Sequence, residues 1–150
     1  MADINLMGVN SLLFIHDGTA YLPIVCLTGN STSEEVAVND GTVTKCNPNP
    51  TPILGAYTYT KDFEGVAIED QTGKFSYDKI RKFLRSKAVA KEPVYWKEEI
   101  TKADATKLVE YGKSYLTNIG SDAPAEGEMT FSGTLNGIDA ISETDLFPTV

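Results

Sequence analysis

The sequence predicts a mainly β (α+β) fold: a β-sandwich or small β-barrel with one flanking α-helix, a long loop and extended terminal arms. Three observations predict it. Glu128–Asn136 alternates, with Glu128, Thr130, Ser132, Thr134 and Asn136 on one face and Met129, Phe131 and Leu135 on the other. Tyr57–Glu64 repeats the design, with Thr58, Thr60, Asp62 and Glu64 opposing Tyr57, Tyr59 and Phe63. Side chains alternate across a strand, so each run buries one face and wets the other. The third observation is that only one segment carries a convincing helical stripe.

Taken in order, Leu12–Ile15 is a short continuous apolar run, as expected of a strand at a core centre. Asp17-Gly18 turns the chain into a return strand over Tyr21–Thr28. Pro23 lacks an N–H and marks that strand as an edge or a bulge. Residues 29–55 read as a long irregular loop with a weak strand at Val36–Val38, ending in Asn47-Pro48-Asn49-Pro50-Thr51-Pro52. That tract favours extended backbone that cannot enter a ladder. A strand over Ala56–Gly65 follows.

The helix opens at Ser76, a good N-cap residue, with Phe75 and Ile80 spaced as a hydrophobic staple. Ile80, Phe83, Leu84 and Ala88 form its apolar stripe; Lys79, Arg81, Lys82, Arg85 and Lys87 cover the rest. That basic face is either solvated or a docking surface for an acidic neighbour. Val94–Ile100 is a strand with Trp96 as core anchor, residues 101–110 are ambiguous, and Tyr111–Ile119 is a strand. After the alternating strand, Asn136-Gly137 turns the chain into an acidic tail. The 150 residues fit a single domain, 1–150, with terminal arms at 1–10 and 138–150.

The formal net charge of -8 argues against sequence-specific or sheath-like nucleic-acid binding and against anionic membranes. It suits a wall past which nucleic acid slides without sticking. Lys and Arg occur only between Lys45 and Lys113, so both ends are purely acidic. No apolar run approaches a membrane span of about 18 residues. Two cysteines, Cys26 and Cys46, and one histidine make neither a disulfide scaffold nor a zinc site. A Ser–His–Asp arrangement would have to use His16, with Ser11 and Asp17 close only in sequence. Paired acids such as Glu98-Glu99 are what an acidic protein shows anyway. No phosphate-binding glycine loop is present. The expectation is a structural protein, not an enzyme, with no catalytic residues, metal or cofactor.

Read in order, several pieces resemble the major tail tube proteins of tailed bacteriophages. They are Gly8 with Leu12–Ile15, Pro23–Thr28, Phe63-Glu64-Gly65, the helix opened by Ser76, Val94–Lys97, Tyr111–Thr117 and Gly127–Leu135. The resemblance spans nearly the whole chain and rests on order and spacing. It implies a virion protein that self-assembles into hexameric rings, stacked as a tube for DNA ejection. Its partners would be itself, tail terminator, tape measure and baseplate proteins, a sheath in contractile tails, and DNA in passage. Its location would be the virion tail, and the host cytoplasm during assembly. On this reading Asp62, Glu64, Glu128, Thr130 and Ser132 line the lumen. Residues 29–55, with Asn47, Pro48, Pro50 and Pro52 at their head, contact the next ring. Three alternatives stay open: a tube subunit of a tailocin or type VI-like secretion system, a monomeric carbohydrate- or receptor-binding β-sandwich using Tyr57, Tyr59, Tyr95 and Trp96, and an acid-dependent hydrolase.

Overall fold

The computed structural model describes residues 6–24, 27–39, 44–46, 48–49, 52–68 and 74–148. Seven strands form one antiparallel sheet: β1 (Ser11–His16), β2 (Tyr21–Pro23), β3 (Leu27–Asn39), β4 (Ile53–Val66), β5 (Val94–Thr101), β6 (Lys107–Asp122) and β7 (Thr130–Ser142). Their spatial order is β2-β1-β5-β6-β7-β4-β3. The one α-helix among the described residues, α1 (Tyr77–Ala90), lies between β4 and β5 in the chain. The β-rich class and the one flanking helix are as the sequence predicts. The ladder itself is one open sheet, neither two separate sheets nor a closed barrel, and it ends at β2 and β3.

The open sheet curls until its two halves pack on each other. Inward-facing Asn30 of β3 donates Nδ2 to Ser11 Oγ of β1 at 3.3 Å and to Glu98 Oε2 of β5 at 3.2 Å. Lys61 of β4 pairs with the same Glu98, donates to Thr32 Oγ1, and lies 4.6 Å from the centre of the Trp96 ring. Lys61 has no exposed surface. It holds a core position between Tyr59 and Phe63 because Glu98 compensates its charge; an uncompensated charge there would be prohibitively costly.

The core includes Leu13, Ile15, Tyr59, Phe63, Val94, Trp96, Phe131 and Leu135 from the sheet, with Ile24 and Phe75 beside them, and is closed by Ile80 and Leu84 of α1. The α1 stripe is the predicted one. Ser76 stands at the N-cap in extended conformation, but its side chain makes no capping bond. At the other end Lys91 adopts the left-handed conformation (φ 59°), and Glu92 N–H reaches Lys87 O at 2.9 Å. These bonds use up carbonyls that the last helical turn leaves open.

Four elements differ from the sequence-based expectation. The stretch expected to be irregular from residue 29 is strand β3 as far as Asn39, and with β4 it makes a long hairpin. Nearly every β3 residue is exposed, so no burial periodicity betrays it; the β4 backbone supplies the ladder. Asn136-Gly137 does not turn: β7 continues through it to Ser142 and leaves a shorter C-terminal arm. Gly137 is there because the Tyr59 ring lies over it, 2.1 Å from where a Cβ would stand. β6 begins at Lys107, inside the segment whose type the sequence left open. The return strand expected over Tyr21–Thr28 is also divided: β2 stops at Pro23, which has no N–H to carry the ladder on, and Leu27–Thr28 belong to β3 at the far end of the sheet. Asp17 and Gly18 (φ 103°) make the first turn, and Pro23 ends an edge strand.

Candidate functional site

The predicted wet faces of β4 and β7 lie side by side. Asp62 pairs with Thr134, Glu64 with Ser132, Thr60 with Asn136 and Val66 with Thr130. Directly opposed residues share a face. Phe63, Phe131 and Leu135 therefore go to the core, while Asp62, Glu64, Thr130 and Ser132 point away from it. Thr134 Oγ1 donates to Asp62 Oδ1 at 2.7 Å. Glu128 is exposed just before β7 begins. The structure thus groups four of the five predicted wall residues on adjacent strands, with Glu128 at their margin.

Pairing extends this face beyond what the sequence suggested. On β3, Ser31 opposes Asp62, Ser33 opposes Thr60 and Glu35 opposes Thr58. On β6, Asn118 opposes Thr134 and Asp122 opposes Thr130. Across β6-β7-β4-β3, these opposed positions bring carboxylates and hydroxyls together with no Lys or Arg among them. Ser31, Asp62, Glu64, Ser132 and Thr134 border a shallow depression at its centre. Beyond its weak Val36–Val38 segment, β3 was illegible from sequence because residues 29–35 are polar on both faces, leaving no apolar partner set to reveal the alternation.

The hairpin projects beyond the core. Near its tip Val36, Val38, Ile53 and Leu54 are exposed, Leu54 at 72%. Pro48 and Pro52 are exposed in the connecting segment, and Cys46 there carries a free, exposed thiol. Asn47 and Pro50 lie outside the described residues, as does Cys26. Tyr57 OH donates to Glu34 Oε1 at 2.5 Å across the hairpin. Burial, then that bond, pushes the Tyr57 hydroxyl up to about 12.

The C-terminal segment folds back on the opposite end of the sheet. Phe147 stacks on His16 with ring centres 3.5 Å apart and meets Tyr95 edge-on at 5.1 Å. Tyr21 OH donates to Asp145 Oδ1 at 2.5 Å. Desolvation lowers the His16 pKa below its usual value, against opposing pulls from Asp17 and Asp145. Burial, followed by the Asp145 bond, raises that of Tyr21.

None of this assembles a triad. His16 Nδ1 accepts the Gly18 N–H at 3.0 Å, and strand alternation puts Ser11 on the other face of β1. Glu110, directly opposite Glu98, has its pKa raised by burial and then by that neighbour. Among the described residues no group of three or more His, Cys, Asp or Glu is placed to hold a metal, and no helix is long and apolar enough to cross a membrane. The aromatic platform needed by a glycan-binding module does not form from the residues expected to build it. Tyr59 and Trp96 are buried, Tyr57 points inward beside them, and Phe147 covers Tyr95.

No protein-family model and no curated protein matches the chain. Solved structures do. The tail tube of SPP1 superposes with a TM-score of 0.64 at 10% identity, covering 92% of this chain and 78% of that one. A subunit in the tail of an empty gene transfer agent particle, refined with C6 symmetry, gives 0.65 at 15% identity, covering 93% and 99%. The chain has the tail tube fold. A subunit of the anti-feeding prophage baseplate, at TM-score 0.61 and 9% identity over 93% and 95%, extends the likeness to contractile injection systems. These neighbours are parts of tail assemblies.

Proposed function

We propose that this protein is the repeating structural subunit of a tail tube, assembled as hexameric rings whose joined sheets enclose an acidic bore for DNA. The observation that carries the reading is the patch of carboxylates and hydroxyls at the opposed positions around Asp62, Glu64, Thr130, Ser132 and Asp122, with no Lys or Arg among them, on an open sheet that ends in β2 and β3. Open edges invite pairing with another copy, and a ring would satisfy both edges at once. Duplex DNA carries about one charge per 1.7 Å, so lysines on the wall would hold it by releasing counterions. Carboxylates and hydroxyls keep it hydrated and moving. Asp62, Glu64, Glu128, Thr130 and Ser132 line the bore in this arrangement.

The β3–β4 hairpin, including the connecting segment with Asn47, Pro48, Pro50 and Pro52, contacts the next ring. Its exposed Val36, Val38, Ile53 and Leu54 favour that role, because apolar side chains clustered at a projecting tip mark an interaction surface. The chain acts in the virion tail after assembly in the host cytoplasm. Terminator, tape-measure, baseplate and sheath proteins are the partners such a tube requires. The likeness to an anti-feeding prophage component supports a second reading, an injection tube of a tailocin or secretion system. That tube would carry protein cargo.

Negative-stain microscopy of concentrated protein tests the assembly: rings or tubes are expected, and a strictly monomeric species that never polymerises on seeding overturns it. The Asp62→Lys, Glu64→Lys double variant tests the bore. Tubes should still form while DNA delivery by assembled particles falls. Undiminished delivery would mean that this face is not the wall.

A further inference from the structure

Lys61 is an unusual residue to find sealed in a core. A methionine there would fill the space without a desolvation cost, and buried ion pairs often stabilise no better than apolar replacements. Its surroundings are specific. Glu98 Oε2 accepts both from Lys61 Nζ and, at 3.2 Å, from Asn30 Nδ2. Lys61 and Asn30 lie on neighbouring strands, one register step apart diagonally, because Thr32 opposes Lys61 and Asn30 opposes Phe63. Thr32 Oγ1 holds the amine from one side, the Trp96 ring covers it, and Ser11 Oγ restrains the Asn30 amide at 3.3 Å. A desolvated amine, a carboxamide and a carboxylate touching both nitrogens are the parts of a transamidation site.

We propose that Lys61 and Asn30 join in an intramolecular isopeptide bond, with Glu98 as the proton relay. Nζ attacks Asn30 Cγ. The Nζ–Cγ bond forms and the Cγ–Nδ2 bond breaks. Glu98 Oε2 carries two protons, one at a time, from Nζ to Nδ2, and the amide nitrogen leaves as ammonium. Glu98 ends as the carboxylate it began as, and no oxidant, reductant or outside reactant takes part. Its contact with Nδ2 puts the acid at the leaving group, within the reach that general acid–base transfer needs. The product links β3 to β4 covalently at the root of the hairpin. The proposal stands on this cluster alone and does not depend on the tube reading.

Intact-mass spectrometry of the purified full chain tests it directly. The protein is expected to be lighter than its sequence by one ammonia. Tryptic digestion should yield a branched species joining the peptide that ends at Lys45 to the one that contains an uncleaved Lys61. Full sequence mass in aged, folded protein overturns the proposal and leaves the cluster an ion pair. Ammonia loss confined to a linear peptide, as a succinimide at Asn136-Gly137 would produce, overturns it equally. Glu98→Gln is expected to retain full mass while its Trp96 emission shows a folded core; a Glu98→Gln protein that still forms the branched peptide removes Glu98 from the relay. Asn30→Ala leaves no carboxamide, and a branched peptide in that variant would also refute the assignment.

Discussion

Gly112 is a position where a single methyl group should be costly. It opposes Trp96 across β5 and β6, and a Cβ there would stand 2.2 Å from Trp96 Cε2, 2.3 Å from Cζ2 and 2.4 Å from Nε1. Carbon atoms in ordinary contact keep about 3.5–4.0 Å, so the ring would have to retreat by more than about 1 Å. It has nowhere to go: Trp96 is fully buried, with Tyr59 edge-on at 5.9 Å and the Lys61 amine on its face. Overpacking of this kind costs about 1–3 kcal/mol. Replacing glycine also restrains the unfolded chain, which offsets about 0.4–1 kcal/mol. The net for Gly112→Ala is then a loss of about 1–2 kcal/mol, a fall in Tm of about 2–8 °C at this chain length. The assay is thermal unfolding followed by intrinsic fluorescence, which reports this site because Trp96 is the single tryptophan. Gly29→Ala is the control: its nearest neighbour, Glu64 Oε1, would be at 3.4 Å, so no comparable loss is expected. A Gly112→Ala protein with the Tm and emission maximum of the parent would refute the packing argument.

Other predictions concern the tail and the hairpin. Desolvation keeps the folded-state His16 pKa below 6.5, so the unfolded chain binds that proton first as pH falls. Stability from the covered imidazole is therefore complete above about pH 6.5 and drains away as pH drops toward the folded value. In Phe147→Ala, the His16 ring signals in NMR should titrate closer to 6.5, and the difference in Tm between pH 7.5 and 5.5 should shrink; an unmoved titration would mean that Phe147 does not seal the ring. Leu54→Asp should block polymerisation yet change monomer stability by no more than about 0.5 kcal/mol, since the side chain is 72% exposed. Normal tubes from that variant would remove the tip from the ring contact. The exposed Cys46 thiol should react quickly with maleimide in the monomer and slowly in assembled tubes, as read by mass spectrometry. Equal rates would place the connecting segment outside any interface.

Elements with one dry face were legible. The Tyr57–Glu64 and Glu128–Asn136 alternation placed Tyr59, Phe63, Phe131 and Leu135 in the core and put Asp62, Glu64, Thr130 and Ser132 opposite them. The α1 stripe and the edge role of Pro23 followed from equally local physics. Of β3 only the weak strand at Val36–Val38 was legible; residues 29–35 are polar on both faces and show no apolar period. The passage of β7 through Asn136-Gly137 was not legible either: a turn and an aromatic packed over glycine ask for the same residue.

The local alternation of apolar and polar residues, by itself, determined the β-rich class and which residues of β4 and β7 point away from the core, because side-chain direction in a strand depends only on the parity of position. Tertiary structure alone decided that β4 and β7 are neighbours, that β3 and β6 widen their polar face, and that Lys61, Asn30 and Glu98 meet between the curled halves of the sheet. Those are pairings between distant segments, set by which strand edges come together and how far the sheet bends, and no local pattern encodes them.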